Sequence, residues 1–376
     1  MEEEARNLLT KAQTVVVKVG TSTLTYSNGK LNLNYIERIV RELADLKNQS
    51  KNVILVSSGA IGAGIGKLGL KKKPKTIPEK QAVAAVGQGM LIQVYEKLFG
   101  EYGHTVAQVL LTREDIINRK RYINSQNTLS ALLKLGVIPI INENDTVAVE
   151  EIEFGDNDNL SALVASLINA DLLINLSDIE GFYTSNPHIN PEAELITFVE
   201  KITPDIENLA SKTDSSLGTG GMKTKLQAAK IAINAGVSLV IASGQKQGII
   251  NKITRGEVTG TLFPAQAKAL HSRKRWIAFC PTIQGSITVD KGAQKAVVTE
   301  GRSLLPSGIL WVDGNFERGD TVRVLDEKGN EFARGLVNYS AKDLLKIKGE
   351  RTKEIYNILG DESESEAIHR DNLVII

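Results

Sequence analysis

Val15-Val16-Val17-Lys18-Val19-Gly20-Thr21-Ser22 sets a short β-branched run against an abrupt stop. Apart from Lys18 the run is apolar without alternation, the composition of a strand buried on both faces of a parallel sheet. Gly20 and two hydroxyl residues then end it. Glycine lets a backbone approach an anion closely and Lys18 adds a full positive charge, so the strand end reads as a phosphate contact. A solvent lysine before an ordinary glycine turn reads as well on this stretch alone. The order is not that of the G-x-x-x-x-G-K-[ST] loop.

Similar runs recur outward from it at Val53–Ser57, Val106–Leu110, Val137–Ile141, Leu172–Leu176 and Leu239–Ile241. Between the first two strands, Ile36, Ile39, Val40, Leu43 and Leu46 share one helical face. Gln81–Phe99, Asn124–Leu135, Leu160–Asn169 and Met222–Ala235 carry comparable periodicity. Strands alternating with helices predict an α/β fold, an open and mostly parallel sheet covered on both faces. Near Phe263-Pro264 the texture changes to short strand-like pieces, Gly285–Val289, Gly308–Val312 and Thr321–Leu325, separated by turn signals. The division expected is 1–263 for the α/β domain, a polar connector over 264–275 that includes Ser272–Arg275, and a small β-rich domain with its tail over 276–376.

Composition narrows the function classes. The chain has 376 residues, 42% hydrophobic and 24% charged, with a formal net charge of +1. Such a balance fits a soluble globular protein and exerts no global pull toward nucleic acid or membrane. No apolar run reaches the roughly 18 residues that span a bilayer. The start, Met1-Glu2-Glu3-Glu4, lacks the basic-then-apolar order of a signal peptide, and the single cysteine, Cys280, fits a reducing compartment. The expectation is a cytoplasmic protein. The four histidines, His104, His188, His271 and His369, have no metal-ligand spacing, and no nucleophile elbow or cysteine motif is present. Chemistry must therefore run on lysines, carboxylates and backbone dipoles.

Four further motifs follow strands or open helices. Ser57-Ser58-Gly59-Ala60-Ile61-Gly62-Ala63-Gly64 reads as a small-residue loop at a strand's carboxyl end, a ligand position in open α/β sheets, or as close helix–strand packing. Ile141-Asn142-Glu143-Asn144-Asp145 ends another strand, and Gly155-Asp156-Asn157-Asp158-Asn159 precedes the run Leu160–Ile168. One Asp or Asn suffices as a helix cap, and four stand here in succession. Such groups can position a polar substrate and catalytic lysines. Leu176-Ser177-Asp178 fits either a nucleotide contact or a turn. Finally, Gly218-Thr219-Gly220-Gly221-Met222-Lys223-Thr224-Lys225 opens a helix with lysines where the macrodipole disfavours cations, a conflict that a bound anion would resolve. Phosphoryl transfer to an already ionised carboxylate suits this inventory, since the nucleophile needs no general base.

Together the five motifs, VVVKVGTS, SSGAIGAG, INEND, GDNDNLSAL and GTGGMKTKLQAA, resemble the glutamate-phosphorylating branch of the amino-acid kinase family over nearly the whole chain. The resemblance implies an αβα sandwich and transfer of the ATP γ-phosphoryl group to the side-chain carboxylate of L-glutamate, the first step of proline biosynthesis, with Mg²⁺ accompanying ATP. It implies that Lys18 contacts the phosphates, that Lys225 stabilises the transferring group, and that Asp158 holds both lysines in register. Gly20 and Gly59 would offer backbone N–H groups. Ser58, Asp145 and Asn157 would bind glutamate. Ser177, Asp178 and the segment Thr219, Gly220, Gly221, Met222, Lys223, Thr224 and Lys225 would line the nucleotide site. L-proline as feedback inhibitor, hand-off to glutamate-5-semialdehyde dehydrogenase and a homo-oligomer are implied as well. The stretch from Gly285 to Leu344 resembles the PUA domain of RNA-modifying enzymes.

Two alternatives differ in class. One is another amino-acid kinase, acting on acetylglutamate or aspartate, against which INEND with GDNDN weighs. The other is an RNA-binding factor working through the second domain. From Trp276 to Ile376 there are 13 Lys and Arg against 16 Asp and Glu, a net of 13 − 16 = −3, whereas RNA-binding surfaces are normally basic.

Overall fold

A computed structural model describes residues 1–26, 28–148, 157–187, 189–212, 221–266, 277, 283–350, 352–359 and 364–376. The chain forms two compact units, Met1–Ala269 and Leu270–Ile376. The connector Ser272–Arg275 and Cys280 lie outside the described residues.

In the first unit the strands are β1 (Thr14–Val19), β2 (Asn52–Ser57), β3 (Val106–Leu111), β4 (Ile138–Glu143), β5 (Leu172–Ser177), β6 (Phe182–Tyr183), β7 (Leu195–Ile196), β8 (Ser238–Ser243) and β9 (Thr261–Phe263). Seven of them form one sheet in the order β3-β4-β2-β1-β5-β8-β9, parallel throughout except for β9, which runs antiparallel to β8. The small β6–β7 hairpin is separate. The helices are α1 (Glu2–Thr10), α2 (Thr21–Leu24), α3 (Leu33–Asn48), α4 (Ala60–Leu68), α5 (Ile77–Glu101), α6 (Arg113–Ile117), α7 (Arg119–Lys134), α8 (Asn157–Leu167), α9 (Pro204–Lys212), α10 (Met222–Asn234) and α11 (Ile249–Thr254).

All six expected strands of this unit are present, five of them extended by one or two residues at one or both ends and β4 beginning one residue later and ending two later. The central strands are buried along nearly their whole length, which is why they read as continuous apolar runs rather than alternating ones. The helical face of Ile36, Ile39, Val40, Leu43 and Leu46 is buried in the core. Helix α8 is buried on every side, so its apolar pattern has no polar face. The chain leaves β1 for β2 on one side and returns to β5 on the other. Order therefore reverses beside β1, the place where open parallel sheets bind ligands at their carboxyl ends.

The stretch from Ser57 to Gly64 is only briefly a loop. Gly59, at φ +94°, is the N-cap of α4, which begins at Ala60. Gly64 and Gly87 let α4 lie directly on α5: a Cβ at Gly64 would sit 2.0 Å from the Val83 carbonyl oxygen, and one at Gly87 1.7 Å from that of Ala60. These small residues thus make a turn at Gly59 and close helix packing at Gly64.

The second unit contains β10 (Gly285–Val289), α12 (Lys291–Val298), β11 (Ile309–Gly314), β12 (Thr321–Leu325), β13 (Glu331–Leu336), α13 (Ala341–Ile347), α14 (Thr352–Leu359) and β14 (Leu373–Ile375). Its five-stranded sheet, β11-β10-β12-β13-β14, is antiparallel except where β10 runs parallel to β12. Ile287, Val289, Val322, Val324, Phe316, Leu344 and Ile355 fill its core. Strands β13 and β14 went unforeseen because Glu331, Arg334 and Gly335 interrupt the apolar signal of one and the other has three residues.

Candidate active site

Because the strands are parallel, every motif that ends one of them arrives at the same edge of the sheet. Gly20 follows β1, Ser58 follows β2, Asn142 to Asp145 close β4, and Ser177 and Asp178 close β5. The start of α8 comes down among these ends.

At the centre is a buried ionic cluster. Asp158, in the first turn of α8, is 0% exposed, while Lys18 of β1 and Lys225 of α10 are 3% and 5% exposed. The Lys18 ammonium donates to Asp158 Oδ1, and Lys225 Nζ lies 3.1 Å from Oδ2. Asn175 Nδ2, from β5, donates to Oδ1 at 2.9 Å; Thr224 Oγ1 lies 3.3 Å from Oδ2 and has a nearer acceptor in the Gly221 carbonyl at 2.8 Å. Among the described residues Oδ1 therefore meets one ammonium and one amide donor, and Oδ2 meets one ammonium with a hydroxyl beside it. Placing Asp158 in the first turn also sets its charge where the helix macrodipole favours an anion. Removing such charges from water costs several kcal/mol per ion in real proteins, so two lysines sharing one buried carboxylate among the described residues is an arrangement that an anionic ligand would stabilise.

Asn157 organises the neighbouring corner. Its Nδ2 donates to Ser58 Oγ at 2.9 Å, to the Ser57 carbonyl at 3.2 Å and to Asn142 Oδ1 at 2.8 Å, joining the ends of β2 and β4. Ser57 Oγ lies 2.9 Å from the buried Tyr95 hydroxyl, and Gln88 Nε2 donates to the Glu143 carbonyl at 3.3 Å, so α5 fixes the same strand ends from behind. Helix capping does not account for Asn157 and Asp158, whose side chains reach other elements.

Glu143 and Asp145 form the acidic rim of this corner. Burial, with repulsion from Asp145 added, pushes the Glu143 carboxyl up to about 7. Burial pushes that of Asp145 up to about 6. Among the described residues no ion pair engages either carboxyl, an arrangement suited to receiving a cation.

Ser177 is buried, with Oγ donating to Asp178 Oδ1 at 3.0 Å, while Asp178 is exposed. Gly20 is the N-cap of the short α2, and Gly221 that of α10. Met222 packs inward. Lys223 is exposed and does not join the buried cluster, in contrast to Lys225 two residues on. Thr219, Gly220, Gly155 and Asp156 lie outside the described residues. Reading the sequence missed Asn175, Asn142 and Glu143 as individual contributors. The available signal was a polar residue inside an otherwise apolar strand, as in Leu172-Leu173-Ile174-Asn175-Leu176.

Among the described residues, no three His, Cys, Asp or Glu side chains gather as a metal site, and no helix is long and apolar enough to cross a membrane.

The profile of the amino acid kinase family matches residues 13–243, and the chain belongs to that family. A PUA domain profile matches residues 285–359. Within the family the chain is 54% identical to the glutamate 5-kinase of Moorella thermoacetica, over 100% of this chain and 99% of that one. It is 56% identical to the glutamate 5-kinase of Caldanaerobacter subterraneus subsp. tengcongensis, over 96% and 97% of the two chains. The UMP kinase of Bacillus anthracis is similar in structure with a TM-score of 0.47 and 16% identity, over 69% of this chain and 99% of that one.

Proposed function

We propose that this chain transfers the γ-phosphoryl group of ATP to the side-chain carboxylate of L-glutamate. The observation that carries this is the buried Lys18–Asp158–Lys225 cluster at the carboxyl end of a parallel sheet, in a chain similar from end to end to glutamate 5-kinases. An ionised carboxylate oxygen attacks the γ-phosphorus, the bond to the β,γ-bridging oxygen breaks, and ADP leaves. No proton has to be removed from the nucleophile, so catalysis reduces to positioning and charge stabilisation.

In this reading Lys18 meets the phosphates and Lys225 meets charge as it moves toward ADP. Asp158 keeps two like charges side by side and leaves one positive charge in excess for the phosphoryl group. Backbone N–H groups at Gly20 and Gly59 face the same oxygens. Asn157 and Ser58 hold the amino acid, with Asp145, seconded by Glu143, receiving its ammonium. Ser177, Asp178 and the segment from Thr219 to Lys225 line the nucleotide. Mg²⁺ accompanies ATP. With no three-residue ligand group among the described residues, its ligands here would be chiefly phosphate oxygens and water, an ordinary environment for that ion, and it would supply further positive charge there.

L-proline carries the same α-carboxylate and ammonium as glutamate without the acceptor group, and we place it as a feedback inhibitor at an overlapping site. Inhibition undiminished at saturating glutamate would refute that overlap. A homo-oligomer, a cytoplasmic location and delivery of the acyl phosphate to glutamate-5-semialdehyde dehydrogenase complete the reading. Neither an acetylglutamate or aspartate kinase nor an RNA-binding factor is favoured. ADP release by the purified chain with L-glutamate, L-aspartate and N-acetylglutamate tests the assignment. L-glutamate should win clearly, and preference for either other acid removes it.

A further inference from the structure

We infer that Asn175 is a positioning residue for phosphoryl transfer, acting through Asp158 to set where the two lysine ammonium groups stand. The inference rests on the functional reading above and adds to it a residue with no place in the motifs.

Asn175 occupies the interior of β5, a strand otherwise made of Leu, Ile and a terminal Ser, and is 0% exposed. Its register partner on β1 is Lys18. The side-chain amide donates to Asp158 Oδ1 at 2.9 Å, the oxygen that also receives Lys18. An ionised carboxylate only accepts hydrogen bonds, so this contact fixes the orientation of the amide. Its own oxygen consequently points elsewhere, buried and without a hydrogen-bond partner among the described residues. A buried acceptor left unpaired is destabilising, and an apolar residue of similar size would remove that penalty at no cost to a β-strand. What such a residue could not supply is the donor.

The consequence for chemistry follows from the geometry of Asp158. With Oδ1 held by the Asn175 amide and Oδ2 by Lys225, the carboxylate plane is set in part by Asn175, a strand residue that does not move with either lysine. Both ammonium groups are placed by that plane. Without the Asn175 donor, Oδ1 loses that contact, and the carboxylate can follow the lysine instead of holding it. Substrates still bind, because their own contacts are intact. The alignment of charge on the transferring group is what suffers.

Two substitutions test this in the full chain. Asn175→Leu removes donor and unpaired acceptor together. It should lower kcat about tenfold, leave KM for ATP and for glutamate within about twofold, and leave the melting temperature unchanged or higher. Asn175→Asp preserves shape and reverses polarity. The charged groups around the new carboxyl are Lys18 from β1, Asp158 from α8 and Lys225 from α10, with the buried Tyr35 of α3 near Lys18. Protonated, it donates to Asp158 as the amide did. Ionised, it repels Asp158 and cancels the excess positive charge. The ratio of variant to wild-type kcat should therefore rise as pH falls.

Wild-type turnover measured in parallel separates the two claims. No wild-type phosphorylation of glutamate sinks the functional reading and this inference with it. Normal wild-type turnover together with near-normal kcat in Asn175→Leu sinks the inference alone. It is overturned equally by a kcat loss that tracks a lowered melting temperature, or by an Asn175→Asp to wild-type ratio that stays flat with pH.

Discussion

The two units spend burial differently. In the first, Lys18, Asp158 and Lys225 are withdrawn from water at the edge of a parallel sheet, with Asn142, Asn157, Asn175 and Ser177 buried around them. In the second, Thr321 is the only polar or charged side chain that is buried among the described residues, and the core is aliphatic and aromatic. Burying charge is costly and is not a general route to stability. The first unit also buries Arg6, Glu42 and Lys51 away from these strand ends, so what sets the cluster apart is two lysines sharing one carboxylate.

The sharpest way to break this contrast is Asp158→Asn. Two buried ammonium groups would then lose the carboxylate they share, and breaking such a cluster typically costs about 3–5 kcal/mol. Denaturant unfolding should register that loss and turnover should become undetectable. A variant of wild-type stability would mean the cluster is not under the strain its burial suggests. Lys225→Ala is gentler on folding, since the pair Lys18–Asp158 remains. Its turnover should fall by on the order of 10²–10³ with glutamate affinity little changed, as for loss of one transition-state charge stabiliser. Near-normal kcat in a folded variant would refute the role given to that lysine.

Asp145→Ala and Asn157→Ala sharpen the division inside the first unit. Each should raise the glutamate requirement roughly tenfold and leave that for ATP nearly unchanged. The reverse pattern would show that the two subsites are exchanged.

Titration of Glu143 offers a smaller effect with a definite sign. Its carboxyl is raised from an ordinary 4.5 to about 7 by burial and by Asp145, so the folded protein holds this proton more tightly than the unfolded chain. The group adds no penalty below pH 4.5, grows destabilising as pH rises toward 7, and is fully so above it. Glu143→Gln should therefore raise the melting temperature at pH 8 and change it little at pH 4. A rise of equal size at both values would point to packing instead of ionisation.

Removing the second unit should have the smallest catalytic effect. Every residue assigned to chemistry precedes Thr261, so a chain ending near Ser272 should fold and phosphorylate glutamate within a few-fold of the full-length rate. A soluble, folded truncation without activity would erase the contrast between the units.

Local physics was written plainly in the sequence. Unbroken β-branched runs specify strands covered on both faces, and the face containing Ile36, Ile39, Val40, Leu43 and Leu46 specifies a helix packed on them, because both patterns lie within a dozen residues. The clustering of glycines, amides and carboxylates after strands likewise announced a polar carboxyl edge on a parallel sheet. Other features depended on distance along the chain. Lys225 meets Asp158 from 67 residues away and Asn175 from 17, and no periodicity encodes such a convergence. The residues alone left Asp158 as either a helix cap or part of a site, and left Ser57–Gly64 as either a loop or a packing surface. Tertiary structure decided what each of them touches. Folding carried α8 onto the strand ends, where its first-turn carboxylate was the nearest acceptor for two buried lysines. It also pressed α4 against α5 at a separation that only glycine permits.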